Sequence, residues 1–166
     1  MPSNQNSHRL RIGRQSLENC VYSITKVVDR RRPLLVSDAA FQVLADSWQF
    51  LREAGRIKLF AFCVMPDHFH VMIGLMPGPE LSKVVQDNCK FTARELNRLH
   101  GLYGSFWQHG FHDRRCRSHQ EVVDLATYIE HNPVRAGLVE SATDWCHSSA
   151  FPGHRKTLDA DWLVSD

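Results

Sequence analysis

Ile57-Lys58-Leu59-Phe60-Ala61-Phe62-Cys63-Val64-Met65-Pro66-Asp67-His68-Phe69-His70-Val71-Met72-Ile73-Gly74-Leu75 reads as two apolar runs hinged on one turn dipeptide. Proline pre-sets its own φ and aspartate bonds its local backbone, so Pro66-Asp67 breaks the run and reverses the chain. Each run is short and rich in β-branched and aromatic residues, which predicts a β-hairpin. On the second strand the period of two sends Phe69, Val71, Ile73 and Leu75 to one face and His68 and His70 to the other. The first face is uniformly apolar and must lie on a core. The second carries two imidazoles with bases about 7 Å apart, close enough to share one cation. Two half-exposed histidines on a sheet surface meet the same spacing.

The rest of the chain alternates around this hairpin. Cys20 to Val28 is a β-branched and aromatic run ended by Asp29-Arg30-Arg31-Arg32-Pro33, and reads as a strand. Ser37 can cap a helix through Ala40, Phe41, Leu44, Trp48 and Leu51, stopped by Gly55. Pro77-Gly78-Pro79 breaks the chain before a helix carrying Leu81, Val84, Val85, Phe91 and Leu99, closed by Gly101. Ser105 to Arg117 reads as a hairpin-like strand segment. Ser118-His119-Gln120-Glu121 has capping-box spacing and opens a helix that Pro133 should stop near Asn132. The order β-α-β-β-α-β-α predicts an α+β, ferredoxin-like antiparallel sheet with an added C-terminal helix. We divide the chain into a basic arm (1–18), one domain (19–151) and a tail (152–166).

Composition narrows the class. With 166 residues, 43% hydrophobic and 23% charged, the chain is sized for one globular core, which excludes collagen-like, coiled-coil and wholly disordered readings. Its longest apolar run, Leu59 to Met65, is far short of a membrane span. The start has no apolar stretch resembling a secretory signal, and the five scattered cysteines form no C-x-x-C pair. Both features predict a cytoplasmic protein with reduced thiols. The net charge of +2 divides unevenly. Residues 1–35 carry seven Arg/Lys against Glu18 and Asp29, whereas 136–166 carry two bases against five acids. A basic arm on a neutral body suits a polyanionic partner, or is a solvated tail.

On the helix after Ser118, Val122, Leu125, Ala126 and Ile129 form the buried stripe. Glu121, Asp124, Tyr128 and Asn132 cluster on an adjacent polar face. An amide oxygen from Asn132 could complete a His–His–O metal set; a core-edge tyrosine and an asparagine C-cap fit the same pattern. A zinc site using Cys63 with His68 and His70 lacks a fourth ligand at typical spacing. Arg114, Arg115 and Arg117 lie near Trp107 and Phe111, an interleaving that suits single-stranded nucleic acid or a charged sheet edge.

Here the residues carry a resemblance. His68-Phe69-His70 resembles the histidine–hydrophobic–histidine signature of HUH single-strand nucleases, and Val64 to Val71 that of single-tyrosine transposases. Tyr128-Ile129-Glu130-His131-Asn132-Pro133-Val134-Arg135-Ala136-Gly137-Leu138 is similar to their catalytic-helix segment. Phe106-Trp107, His112-Asp113-Arg114, Asp144-Trp145 and Ser148-Ser149 resemble further landmarks, and Leu10 to Arg14 the arm of REP-associated tyrosine transposases. The resemblance spans most of 9–151.

It implies a metal-dependent endonuclease and strand transferase acting as a monomer on hairpin-forming repetitive single-stranded DNA. Tyr128 would attack a backbone phosphate, giving a 5′-phosphotyrosine and a free 3′-hydroxyl. His68 and His70 would hold Mg²⁺ or Mn²⁺, which makes the phosphate electrophilic. Asn132 stands where the family places an amide ligand, often the longer Gln; His131 is the alternative. Arg9, Arg11 and Arg14 would read bases at the foot of the hairpin. A non-catalytic nucleic-acid-binding descendant is the competing expectation.

Overall fold

The computed structural model describes residues 17–160. It contains strands β1 (Val21–Val27), β2 (Ile57–Met65), β3 (His68–Leu75) and β4 (His112–Arg115). The helices are α1 (Asp38–Glu53), α2 (Leu81–His100), α3 (His119–Glu130) and the single turn α4 (Asn132–Arg135). The strands form one antiparallel sheet in the order β2-β3-β1-β4, the ferredoxin-like plan expected. No helix among the described residues is long and apolar enough to cross a membrane.

Local chemistry sets the boundaries. Ser37 Oγ accepts the Ala40 N–H at 3.1 Å and opens α1. Gly101, at φ +63°, closes α2 in the left-handed conformation that glycine takes without a Cβ clash. Both helices lie on one face of the sheet. There Phe69, Val71, Ile73 and Leu75 pack with Leu44, Trp48 and Leu51 of α1 and Leu81, Val84 and Leu96 of α2. Helix α3 covers the opposite, histidine-bearing face, where Val122 and Ile129 meet Ala61, Met65 and Met72.

One β-bulge aims the second strand of this arrangement. Leu59 opposes Ile73 but Ala61 opposes Met72, so Phe60 is an extra residue in β2. The alternation therefore switches: Ile57 and Leu59, then Phe62 and Val64, face the α1–α2 core. Cys63 and Met65 turn to the α3 side, opposite His70 and His68 respectively.

Two segments differ from expectation. Of residues 105–117 only His112–Arg115 form a strand, paired to β1; Phe106 and Trp107 are buried in the core, Trp107 makes a single antiparallel bridge to Val28, and its Nε1 donates to Thr92 Oγ1. The helix also ends earlier: α3 stops at Glu130, and Pro133 sits inside the new turn α4 rather than beyond a terminus. Proline lacks an N–H and its ring excludes the carbonyl four residues back, yet it suits the first turn of a fresh helix.

The segment after α4 seals the outer edge of β2. Val64 N–H donates to His147 O at 2.8 Å, and Asp159 N–H donates to Leu59 O at 2.7 Å. Asp159 also takes a two-toothed ion pair from Arg52. Buried Ser149 accepts the Phe62 N–H at 3.0 Å and donates to Glu130 Oε1 at 2.6 Å, tying α3 to the sheet. Ser149→Ala strands both partners and should cost about 2–3 kcal/mol of unfolding free energy in urea titrations. A loss under about 0.5 kcal/mol would show that this hydroxyl does not anchor α3.

Candidate active site

Alternation on β3 and the turn before it deliver the two imidazoles. Both project from the sheet face under α3, with ring centroids 5.0 Å apart and planes 86° to one another. Each has its Nδ1 edge occupied. His68 Nδ1 lies 2.6 Å from Asp67 Oδ1, and that carboxylate takes a second bond from Arg31 Nη1 at 3.1 Å. His70 Nδ1 lies 2.8 Å from Thr25 Oγ1, which the β1–β3 register places directly across from it. Both partners can accept, so each Nδ1 can carry the ring proton and leave the Nε2 lone pair as the ligand.

Electrostatics agree. Burial pushes His70 down to about 4, helped by the charges of His68 and Arg135, so at neutral pH it is an uncharged imidazole. Partial burial works against charge on Asp67, but its bonds to His68 and Arg31 hold the carboxyl below the usual carboxylate value. The neighbouring Cys63 is different. Burial pushes its thiol up to about 12, and it faces His70 across the β2–β3 pair. A neutral, fully buried thiol is a poor zinc ligand.

Tyr128 projects from α3 with 55% of its surface exposed, and Arg135 of α4 caps its ring. Asn132 lies past the end of α3, and its buried Nδ2 has no protein partner. The two ends of an amide exchange by a half-turn of the side chain, which would put Oδ1 at that orphan position. Two imidazole Nε2 atoms and one amide oxygen form a donor set that fits a divalent cation. His131 is exposed and its Nδ1 is bonded to Thr127 O.

The basic residues scatter. Arg114 stands opposite Ser23, whose neighbour Thr25 faces His70, and pairs with Glu121 at 3.2 Å. Arg115 stands opposite Tyr22, whose side chain joins the α1–α2 core, so strand alternation sends it to the other face. Arg117 follows the strand, its N–H bonded to Glu121 Oε2. Arg9, Arg11 and Arg14 lie outside the described residues. Sequence reading missed Thr25, which belongs to no local motif; strand register places it between His70 and His112, the latter quoted above only as part of a landmark segment. Elsewhere Asp38, Cys146 and His147 gather ligand atoms within 4.8 Å, but His147 is bonded to Asp38 and stacked on Phe41, which clamps the tail to α1.

Comparison with known proteins gives three findings. Residues 16–132 match the family model described as transposase, IS200 like. A Haemophilus influenzae protein named as a REP-associated tyrosine transposase is 28% identical over 99 residues, 54% of this chain and 56% of the relative, so the match spans little more than half of that relative's length. Among solved structures, a REP-associated tyrosine transposase bound to a REP hairpin aligns with TM-score 0.67 at 22% identity, covering 92% of this chain and 90% of that one. A Deinococcus radiodurans protein described as a transposase aligns with TM-score 0.51 at 22% identity over 72% and 95%. At these identities the structural matches speak for the fold.

The lowered pKa of His70 has a stability consequence for metal-free protein. As pH falls from about 6.5 towards about 4 the unfolded chain takes up a proton that the folded chain refuses, so stability drops in that window. The contribution is on the order of 3 kcal/mol. Urea midpoints measured in chelator should fall across this range in the wild type and flatten in His70→Gln. Equal slopes in the two proteins would show that His70 is not held neutral by its site.

Proposed function

The chain belongs to the IS200-like transposases, and from that premise we propose that it is a metal-dependent single-stranded DNA endonuclease and strand transferase using Tyr128 as nucleophile. The observation that carries this reading is the pair of Nε2 edges fixed beside a helix that presents a half-exposed tyrosine. His68, His70 and the Asn132 amide would hold Mg²⁺ or Mn²⁺. Such an ion, when bound, polarises a non-bridging phosphate oxygen and offsets transition-state charge.

The remaining chemistry falls to the chain's own groups. Tyr128 Oη forms a bond to phosphorus while the bond from phosphorus to the 3′-oxygen breaks. The phenol proton leaves to the water that reaches the exposed ring, and the departing 3′-oxygen takes a proton to become a hydroxyl. The 5′-phosphotyrosine so formed keeps the phosphodiester's energy, so a 3′-hydroxyl can reverse the step and join a strand. Asp67 and Thr25 keep the imidazole edges aimed throughout.

The substrate class follows from the family and from the relative solved with a hairpin. We assign hairpin-forming repetitive DNA, with Arg9, Arg11 and Arg14 contacting the hairpin foot and Arg114, Arg115 and Arg117 contacting strands leaving it. Of these, Arg114 is on the site face, and Arg115 serves a strand that passes round the sheet edge.

Full-length protein incubated with hairpin-bearing single-stranded DNA and Mn²⁺ should yield a denaturation-resistant adduct mapping to Tyr128. Tyr128→Phe should keep DNA affinity within about threefold and form none, since it loses one oxygen from an exposed ring. Tyr103, 98% exposed, is the internal control for adventitious labelling. An adduct on Tyr103, or one persisting in Tyr128→Phe, would remove Tyr128 from the reaction.

A further inference from the structure

The break between α3 and α4 takes the usual helical donor from three carbonyls, those of Tyr128, Ile129 and Glu130. In an unbroken helix the Asn132 N–H would bond the carbonyl of Tyr128. Pro133 opens the chain at His131, and the bonds resume only with Arg135 N–H to His131 O and Ala136 N–H to Asn132 O. The Tyr128 carbonyl instead accepts from Arg135 Nη2 at 2.5 Å. The same guanidinium lies over the Tyr128 ring, its central carbon 3.7 Å from the ring centroid. One exposed arginine thus holds the tyrosine at both its backbone and its ring face.

Position makes this more than a helix cap. An exposed tyrosine on a helix ordinarily samples several rotamers. A cation on the ring face, anchored to the same residue's carbonyl, removes that freedom before substrate arrives. The charge of Arg135 also bears on His70 and Cys63, so the clamp lies within electrostatic reach of the imidazole face. A planar guanidinium can stack and donate in plane at once, which an ammonium cannot.

We infer that Arg135 is the positioning residue of the nucleophile, holding the Tyr128 ring in the one orientation that aims Oη at a phosphate bound at the histidine pair. The inference rests on the reaction proposed above and concerns a residue outside its ligand and nucleophile set. A residue that pre-orients an attacking group acts on the rate at saturating DNA and leaves affinity alone. Misplacement of a reacting group by about 1 Å costs roughly a hundredfold in rate.

The test uses full-length protein, hairpin-bearing single-stranded DNA and Mn²⁺, with adduct formation followed in single turnovers at saturating DNA. Arg135→Ala should slow the adduct roughly a hundredfold while DNA affinity changes by less than about threefold. Added guanidinium should restore part of that rate, and sodium chloride at equal ionic strength should not. Arg135→Lys should fall between. A second readout needs no reaction: with 3-fluorotyrosine incorporated, the ¹⁹F signal of Tyr128, assigned through Tyr128→Phe, should shift and narrow towards an averaged position in DNA-free Arg135→Ala. Those of Tyr22 and Tyr103 should stay put. An adduct rate within threefold of wild type, a loss of affinity that accounts for the whole defect, or an unmoved Tyr128 signal would overturn the inference. A wild type that forms no adduct at all contradicts the proposed reaction, and the ¹⁹F comparison then still decides whether the clamp exists.

Discussion

Two hydrogen bonds, Asp67 to His68 Nδ1 and Thr25 to His70 Nδ1, decide what this site can do. An imidazole on a sheet surface has two chemically different edges and turns freely about its side chain. Once the Nδ1 edge is bound to an acceptor, the tautomer and the ring plane are set together, and the lone pair of Nε2 has a fixed direction. Everything else in the fold serves those two bonds. The Pro66-Asp67 hinge puts a carboxylate one residue from His68. The β1–β3 register puts a hydroxyl across from His70, and a slip of one residue would turn both histidines into the α1–α2 core. The apolar face of β3, packed on Trp48 and its neighbours, makes such a slip expensive.

The far side of the site is built by interruption. Pro133, three residues past the last residue of α3, keeps that helix from continuing, and the chain that follows turns back along the sheet edge instead of leaving the domain. Ser149 then bonds both Glu130 and β2, so the helix bearing Tyr128 is held by a segment some twenty residues downstream. The role of Arg135 arises from the same interruption, since the carbonyl it caps is one of those the break exposed. Rigidity at the sheet and rigidity at the helix thus have separate sources, and a defect in one need not disturb the other.

Much of this was legible in the chain because it rests on short-range periodicity. Alternation across Phe69 to Leu75 predicts which face is core, and Ser37, Ser118 and Gly101 mark helix ends that the structure keeps. What the sequence hid depends on register and on tertiary pairing. Thr25 becomes the neighbour of His70, and stands between it and His112, through pairing across three strands, which no local pattern encodes. The segment from Ser105 reads as one strand, yet it pairs in two separate pieces, a single bridge at Trp107, which is buried with Phe106, and the strand His112–Arg115. The bulge at Phe60, which brings Cys63 against His70, carries no glycine or proline to announce it.

The central claim is that His68 and His70 offer their Nε2 edges to one cation, with both Nδ1 atoms protonated beforehand. Side-chain ¹⁵N spectra of the ten histidines test this most directly. In metal-free protein at neutral pH, His68 and His70 should each show a protonated Nδ1 and a bare Nε2. On addition of substoichiometric Mn²⁺ their Nε2 signals should broaden together, ahead of those of the other eight. Protonation on Nε2 in either residue, or broadening that begins at His147 while the pair stays sharp, would contradict the account.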